Sequence, residues 1–500
     1  MAEPIYKTAC PACGAPVGFL SSASVMAVCS YCQSTLLRAA DSVRDIGKMS
    51  AVLADYSPIQ IGTSGVHEDR AFSVVGRIQL QYEDGGWNER HVLFDDGSTG
   101  WLADASGQYV FTVDAPAPAD PPAFDTLQAG QYLQHADRDW IAADVRHARC
   151  VAGAGELPFQ VGAGYGISAA DFRSGEHFMT LDWDGDASPR CYLGRAVTLD
   201  GLKCQLLRDD SAITDSAGRL HGRTKVLACP ACGSPVSYAP GLTRFIVCPA
   251  CQAESRNSPE LTEVLATRER LDAFDTTLAL GDSATIDGLL WDVLGIMVCN
   301  SGAGTENWTE YQLFNVTRGF LWLTESQWYW SRVQVLDVWP DDDLGVAVKL
   351  DGERYRHMER YRSTVCWVAG SFNWRVRVGD TVFVDEYARS NAALSSETSA
   401  RERVWSRNWR ISDRQMSQWF GTRIGNPDAV PPTSSLFPMP QWEKLNPARL
   451  TLAQLAQWAS CIVFYLGVCF AAATGSGAPV AIMLGALLLL WLPILLARRT

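Results

Sequence analysis

Two cysteine clusters with identical internal spacing constrain the fold of this chain more than any other part of its sequence. Each cluster contains two CxxC pairs separated by fifteen residues, and the second cluster lies 219 residues after the first. Their members are Cys10, Cys13, Cys29 and Cys32, then Cys229, Cys232, Cys248 and Cys251. Two tight turns of this kind supply four thiolates to one tetrahedral zinc ion. The sequence therefore predicts two zinc ribbons that bind two structural Zn²⁺ ions.

Other interpretations of the clusters are weaker. Unliganded thiols would not require the ribbon spacing twice, and a dithiol redox site would not require the second CxxC pair of each cluster. Catalysis at the metal is disfavoured because four cysteines leave no coordination position open. A ribbon is also too small to have a hydrophobic core of its own, so metal binding is expected to supply its folding free energy.

Composition and charge indicate the cellular compartment of the chain and the class of partner that it can bind. The chain has 500 residues, enough for several domains, and a net charge of −13. This acidic average repels nucleic acid, and residues 7–38 contain only two basic groups. We expect no nucleic-acid partner, and a nucleic-acid-binding ribbon is a disfavoured alternative. Residues 1–7 lack an apolar signal core and the other cysteines form no disulfide-like framework, so a reducing compartment is expected.

The sequence that follows each ribbon predicts a β-rich domain. Apolar residues alternate with polar ones in short runs that end at Gly- and Asp-rich turns, which is typical of antiparallel strands. The second half of the chain repeats the tryptophan and glycine landmarks of the first at nearly constant offset. The predicted elements are strands at 72–82, 87–94 and from Trp101, short helices at 200–208 and 412–420, and a linker or short helix at 39–50.

Two apolar runs near the C-terminus predict a transmembrane hairpin. Residues 455–473 and 478–497 contain no charged residue, and each is long enough to cross a bilayer as a helix. Basic residues flank the two runs and are absent from the turn between them, so both ends should face the cytoplasm. We expect a multi-pass inner-membrane protein with its ribbons and β domains in the cytoplasm and a protein partner at that membrane. A helical hairpin buried in a soluble core is the alternative.

The predicted fold class is mainly β, with two tandem ribbon-plus-β-domain repeats followed by a two-helix transmembrane hairpin. The predicted domains are ribbon 1 at 1–38, β domain 1 at 50–212, ribbon 2 at 225–256, β domain 2 at 274–422, a Pro-rich linker at 423–450 and the hairpin at 451–500.

Candidate ligand-binding residues lie at equivalent positions of the two β domains. Trp87 precedes Glu89 by two residues, as Trp308 precedes Glu310. An aromatic ring beside a carboxylate suits a cation, whereas packing of the Trp in a core with a locally paired Glu is the alternative. The sequence contains no HExxH, GxSxG or Walker motif, so we expect a binding or scaffolding protein without catalytic activity. A small-ligand sensor or an enzyme with a pocket in the β domains is the rival hypothesis.

The ribbon followed by VxG, WxE, VAG and VG landmarks resembles the bacterial family called domain of unknown function 4178. Members of that family pair zinc ribbons with such blocks, duplicate them and end in membrane helices. The family has no established activity, so the resemblance implies no catalytic residue. It implies an expectation of a function in membrane stress or polyamine physiology at the inner membrane.

Overall fold

The structure is a computed structural model, and it describes most of the chain up to residue 424. The described residues are 6–21, 24–39, 42–48, 57–105, 108–161, 164–183, 188–209, 225–238, 243–257, 262–266, 274–301, 307–315, 318–327, 329–343, 346–389, 392–421 and 424. They belong to one compact unit that spans Met1–Thr433. Within these residues, no helix has the length and apolar character needed to cross a membrane. The predicted hairpin at 451–500 and the linker at 423–450, except Ile424, lie outside them.

The described elements of the first repeat are all strands apart from one 3₁₀ turn. Ribbon 1 contains β1 Tyr6–Ala9, β2 Pro16–Phe19, β3 Met26–Val28, β4 Ser34–Ala39 and β5 Ser42–Lys48. The β domain contains β6 Ser64–His67, β7 Arg70–Tyr82, β8 Gly85–Phe94, β9 Thr99–Ala105, β10 Gln108–Ala115, the 3₁₀ turn Phe124–Thr126, β11 Tyr132–His135, β12 Arg138–Leu157, β13 Tyr165–Ser174, β14 His177–Trp183 and β15 Arg190–Val197.

The second repeat has the same ring strands in the same order, one additional short strand before its long strand, and a helix at its end. Ribbon 2 contains β16 Lys225–Ala228, β17 Pro235–Tyr238, β18 Phe245–Val247, β19 Glu254–Asn257 and β20 Thr262–Ala266. The β domain contains β21 Ser283–Ile286, β22 Leu289–Asn300, β23 Asn307–Asn315, β24 Gly319–Glu325, β25 Trp330–Val335, β26 Asp341–Asp343, β27 Ala347–Leu350, β28 Glu353–Phe372, β29 Thr381–Arg389, β30 Ala392–Thr398, β31 Arg403–Ile411 and α1 Asp413–Phe420.

Each β domain is a sheet that closes on itself. In the first repeat the strands follow the order β7, β8, β9, β10, β15, β14, β13 and β12, and β12 then pairs with β7. In the second repeat the order is β22, β23, β24, β25, β31, β30, β29 and β28, and β28 pairs with β22. We call these closed sheets ring 1 and ring 2. Closure removes the free edges that would otherwise template pairing with other chains.

One long strand in each ring also carries the ribbon. The C-terminal end of β12 pairs with β3 of ribbon 1, and the C-terminal end of β28 pairs with β18 of ribbon 2. Both long strands have 20 residues and include shifts of register where they bend from one partner to the next. The ribbon and the ring of each repeat are therefore joined by backbone hydrogen bonds as well as by the connecting chain.

The outer faces of the rings are covered by apolar segments. Around ring 1, Ile59 and Leu202 from the flanking loops pack on Phe72, Phe94 and Phe111. Around ring 2, Met416 of α1 belongs to the buried cluster that contains Trp291 and Leu313. The main hydrophobic cores therefore lie outside the rings, between the sheet and the segments that wrap it, which leaves the inner faces free to carry polar residues.

Most predicted elements are confirmed, and two are wrong. The strands at 72–82 and 87–94 fall within β7 and β8, and the predicted last helix is α1, whose N-cap Ser412 accepts a hydrogen bond from the Gln415 backbone N–H. Residues 42–48 form a strand, because they pair with β4 in the ribbon sheet. Residues 200–208 form turns, since Lys203 and Leu206 adopt positive φ and the chain then runs back to pair with Ser64.

Candidate metal centres and ring interiors

Each ribbon brings its four predicted cysteines into one cluster. The sulfur atoms of Cys10, Cys13, Cys29 and Cys32 all lie within 4.8 Å of one another, and so do those of Cys229, Cys232, Cys248 and Cys251. The described residues contain no third group of this kind among His, Cys, Asp and Glu. Sequence spacing alone therefore identified both candidate metal centres.

Sulfur–sulfur distances fit a tetrahedral ion. Cys10 and Cys32 are 3.7 Å apart and Cys13 and Cys29 are 3.7 Å apart, while the corresponding distances in ribbon 2 are 3.8 Å and 3.6 Å. A zinc–sulfur bond of about 2.3 Å gives sulfur–sulfur separations of about 3.8 Å in a regular tetrahedron. The distances are far longer than the roughly 2.05 Å of a disulfide. The donor set and its geometry fit a four-coordinate ion with no open position.

The local backbone explains why the cysteines converge. After each second cysteine the chain turns back through a residue in the left-handed region, at φ values of 76° for Gly14, 60° for Gln33, 77° for Gly233 and 57° for Gln252. The backbone N–H of Gly14 donates to the carbonyl of Cys10, and the N–H of Gly233 donates to that of Cys229. Glycine adopts this conformation at no steric cost, which explains its place after the first CxxC pair of each ribbon.

Ribbon 1 is fastened to ring 1 by a buried carboxylate. Glu156, near the end of β12, accepts hydrogen bonds from the backbone N–H of Leu20 at 2.6 Å, the N–H of Ser21 at 3.2 Å and the hydroxyl of Ser24 at 2.7 Å. Three donors satisfy the charge of a residue that is only 5% exposed. The ribbon position is therefore fixed by a charged group of the ring.

Ribbon 2 is fastened differently. Glu254, in β19, forms an ion pair with Arg375, which follows β28. The guanidinium of Arg375 also reaches Glu83 in the turn of ring 1, and its backbone N–H donates to the carbonyl of Asp84 at 2.8 Å. A single arginine thus connects the second ribbon, the second ring and the first ring.

The inner faces of the rings carry carboxylates. In ring 1, the pKa of Glu89 in β8 is raised by desolvation and, further, by the charges of Asp171 in β13 and Asp182 in β14. Neither of those strands neighbours β8 in the sheet. In ring 2, the pKa of Glu397 in β30 is likewise raised by desolvation and by the charge of Glu310 in β23. Side chains from non-adjacent strands can interact in this way only across the ring interior. Glu89 and Glu310 are half-buried residues whose carboxyl groups are desolvated inside the rings.

The predicted Trp–Glu pairs lie on these inner faces. The indole N–H of Trp87 donates to Glu89 at 2.8 Å, and that of Trp308 donates to Glu310 at 2.7 Å. Desolvation inside the ring raises the pKa of Glu89 to about 7, and the same cause raises the pKa of Glu310. Each indole therefore orients a carboxyl group. In ring 1, that group, Glu89, ionises near neutral pH. Each Trp packs against a buried apolar cluster and its Glu is paired locally with it, as the alternative interpretation of these residues describes.

One end of each interior is closed by apolar side chains shared with the ribbon. In ring 1, Met26 of the ribbon packs with Leu80, Cys150 and Trp87. In ring 2, Val247 of the ribbon packs with Cys299 and Trp308. These apolar side chains form the floor of each ring interior, on the side of the ribbon.

Two further residues of the interiors were missed at the sequence level. His91 and Gln312 lie two positions after Glu89 and Glu310, on the same face of the strand, and both side chains are fully buried. The pattern WxE followed by a polar residue two positions later occurs in both halves of the chain. That shared position is the signal that could have identified them.

The fold and its sites define a class of duplicated β protein in which a four-cysteine ribbon supports each closed sheet. Residues 60–199 and 279–413 match the family described as Domain of unknown function (DUF4178). The two matched segments cover more than half of the chain, and the chain belongs to this family. The segments coincide with ring 1 and ring 2, which confirms the predicted duplication. No curated protein and no solved structure matches the chain.

Proposed function

We propose that this chain is a zinc-dependent binding protein without catalytic activity, in which each zinc ribbon supports one β ring. The observation that carries the proposal is the pair of four-cysteine clusters with tetrahedral sulfur spacing, one in the ribbon that pairs with each ring. Four thiolates complete the coordination of the ion, so the metal would stabilise the fold and offer no position to a substrate.

Zinc is the metal that this donor set favours. Thiolates select soft or borderline ions, and a tetrahedral set of four sulfur ligands suits zinc or an iron–sulfur centre. The sulfur–sulfur distances of 3.6–3.8 Å match a single ion. Metal analysis of the full-length purified chain tests this assignment, with two zinc ions per chain expected. A chain that is folded and contains no zinc, or contains iron in its place, would contradict it.

Thiol chemistry in the rings gives no support to an enzyme. Desolvation raises the pKa of Cys150 to about 12, and desolvation together with Glu310 raises that of Cys299. Both thiols would therefore remain protonated and poorly nucleophilic at neutral pH. Cys150 lies beside Glu89 and Cys299 beside Glu310. Neither thiol therefore supports a reaction that uses a cysteine nucleophile at the Trp–Glu pairs.

Membrane anchoring is the second part of the proposal. The uncharged segments 455–473 and 478–497 would hold the repeats at the inner membrane, on its cytoplasmic side, beside a protein partner. Deletion of residues 451–500 tests the anchor by fractionation of cells that produce the full and the shortened chain. The full chain should sediment with membranes and the shortened chain should not. Sedimentation of both forms would argue against the anchor. The expectation of membrane stress or polyamine physiology remains a prediction.

Small-ligand binding in the rings is a specific form of this function. The desolvated carboxyl groups on the inner face of each closed sheet favour it, since a buried charge without a stabilising function is costly. A ligand site in the rings is compatible with the scaffold function, because the Glu side chains face the ring interiors and the cysteine clusters lie in the ribbons.

A further inference from the structure

The two ring interiors present unpartnered hydrogen-bond acceptors at the same structural position. The Nδ1 atom of His91 lies 3.2 Å from the carbonyl oxygen of Glu156. A carbonyl can only accept, so Nδ1 carries the proton. Burial lowers the pKa of His91 to about 4, which keeps its imidazole neutral. The Nε2 atom is therefore a bare acceptor, and it has no partner.

Gln312 presents the same chemistry in ring 2 with a different side chain. Its amide nitrogen donates to Asn373 Oδ1 at 2.9 Å, which leaves the carbonyl Oε1 as a fully buried acceptor without a partner. Buried polar atoms are almost always hydrogen-bonded in folded proteins. Two orphan acceptors at equivalent positions, each two residues from a glutamate on the same face, indicate that a donor from outside the chain completes both sites.

Two arginines near the ring interiors already have partners. In ring 1, Arg146 forms ion pairs with Asp144 and with Glu402. In ring 2, the guanidinium carbon of Arg410 lies 4.8 Å from the centre of the Tyr329 phenol, in a cation–π contact. Carboxylates therefore remain the dominant charge beside the orphan acceptors.

A metal ion does not suit these positions. No three carboxylate or imidazole ligand atoms of the described residues lie within 4.8 Å of one another in either ring. Hard cations need six or more oxygen ligands in a compact shell. A cation whose charge is carried by N–H donors on an organic chain can instead reach acceptors that lie apart, and it can contact the aromatic floor.

We propose that each ring binds a protonated aliphatic amine, whose ammonium group donates to Glu89 and to His91 Nε2 in ring 1 and to Glu310 and Gln312 Oε1 in ring 2. The inference rests on the proposed binding function and assigns its ligand class. The indoles of Trp87 and Trp308 hold the two carboxylates in place through their N–H groups. The hydrocarbon part of the amine would contact the apolar floor above the ribbon.

The test is isothermal titration of the full-length, zinc-loaded chain with n-hexylammonium and, in parallel, with 1-hexanol. The alcohol has the same hydrocarbon chain and no charge. We expect saturable binding of the ammonium with two sites per chain and binding of the alcohol at least tenfold weaker. Equal binding of the two probes, or no binding of the ammonium by a chain that contains zinc, would overturn the amine assignment while leaving the zinc-dependent fold intact.

Variants then locate the sites. Glu89→Gln and Glu310→Gln keep the acceptor for the indole N–H and remove the charge, so each should weaken one of the two sites at least tenfold. Gln312→Met keeps the side-chain volume, removes the orphan acceptor, and should weaken only the ring 2 site, several-fold. Glu353→Gln is the matched control, since its carboxylate pairs with Arg389 at the surface. Unchanged titrations for the ring variants, or a loss for the control, would contradict the assignment. Absence of zinc from the wild-type chain would instead contradict the proposed function itself.

Discussion

The two repeats have the same arrangement of cysteine sulfur atoms, but their ribbons are attached to the rings by different contacts. The four-cysteine clusters have sulfur–sulfur distances that agree within 0.1 Å between equivalent pairs. Ribbon 1 is held by Glu156, which accepts three hydrogen bonds from the loop before β3. The residue of repeat 2 at the same register position is Ser371, which pairs with Ile246 as Glu156 pairs with Ala27, and ribbon 2 is held by the Glu254–Arg375 ion pair. The coordination geometry leaves little room for variation after duplication, whereas the attachment of ribbon to ring can be made by more than one kind of contact.

The largest expected effect comes from breaking the feature that the repeats share. Cys13→Ser and Cys232→Ser should each lower the zinc content from two ions to one, because three thiolates hold the ion poorly and structural zinc supplies most of the folding free energy of a ribbon. Metal analysis of the purified variants measures this. Cys299→Ser is the control, since Cys299 lies in ring 2 and outside both clusters. A full zinc content in the two ligand variants would show that the clusters do not bind as inferred.

The next effect should separate the two attachments. Glu156→Ala removes an acceptor of three hydrogen bonds and leaves the donors of the buried loop unsatisfied, which should lower the free energy of unfolding of ribbon 1 by about 3 kcal/mol. Hydrogen exchange of the amides of Leu20 and Ser21 measures the local opening. Ser371→Ala, at the equivalent register position of repeat 2, should change the exchange of ribbon 2 far less, because the Ser371 hydroxyl makes no hydrogen bond to the described residues of the ribbon. Equal effects of the two substitutions would mean that the repeats are fastened alike.

Arg375→Ala should loosen ribbon 2 in turn. Glu254 is 3% exposed, so loss of its cation leaves a buried charge unpaired, at a cost of about 2 kcal/mol. Exchange of the β18 and β19 amides should rise while that of ribbon 1 stays constant. Because Arg375 also contacts Glu83, protection of the turn at 83–85 should fall as well. An effect confined to that turn would show that the ion pair does not hold the ribbon.

The smallest effect depends on pH and concerns the rings. The pKa of Glu89 in the folded chain is about 7, above its ordinary value of 4.5. The folded state then binds more protons than the unfolded state between these values, so Glu89 lowers stability as the pH rises from about 4.5 to 7. Glu89→Gln should therefore raise the free energy of unfolding by about 1 kcal/mol at pH 8 and leave it unchanged at pH 4.

Thermal unfolding at the two pH values measures this difference. The groups that face Glu89 are Asp171, Asp182, Cys150 and Tyr165. Desolvation holds the pKa of Cys150 and that of Tyr165 far above 8, so both groups stay protonated at the two pH values, and Asp171 and Asp182 are present in both chains. A stability gain at pH 4, or none at pH 8, would show that the carboxyl of Glu89 is not desolvated in the ring.

The sequence was most informative where geometry depends on neighbours in the chain. The CxxC turns, the hairpin at 84–86 and the Ser412 cap are local, so spacing and turn residues predicted them. Residues 42–48 were assigned as a linker or helix because nothing local indicates their pairing with β4. The turns at 200–208 have a helix-like pattern that is overridden by contacts with the segment beginning at Ser64.

Ring closure could not be predicted for the same reason. It depends on pairing between β7 and β12, and Gln81 and its partner Arg149 are far apart in sequence. Without closure, Glu89 and Asp171 cannot be placed across one interior. His91 and Gln312 differ in side chain and share only what each presents, a bare acceptor, which residue type does not reveal. The candidate metal centres were therefore predictable from the sequence, and the acceptor sites of the rings were not.

The long strands also set the order in which the chain can assemble during synthesis. Met26 in β3 pairs with Leu157, which leaves the ribosome 131 residues later. Ribbon 1 can take up its metal and fold within its first forty residues, but its edge strand β3 stays unpaired until the end of β12 arrives. Unpaired edge strands invite pairing with other chains. Each repeat therefore passes through a stage with a complete cysteine cluster and an exposed edge, and the last three strands of the ring are made only after the strand that covers this edge.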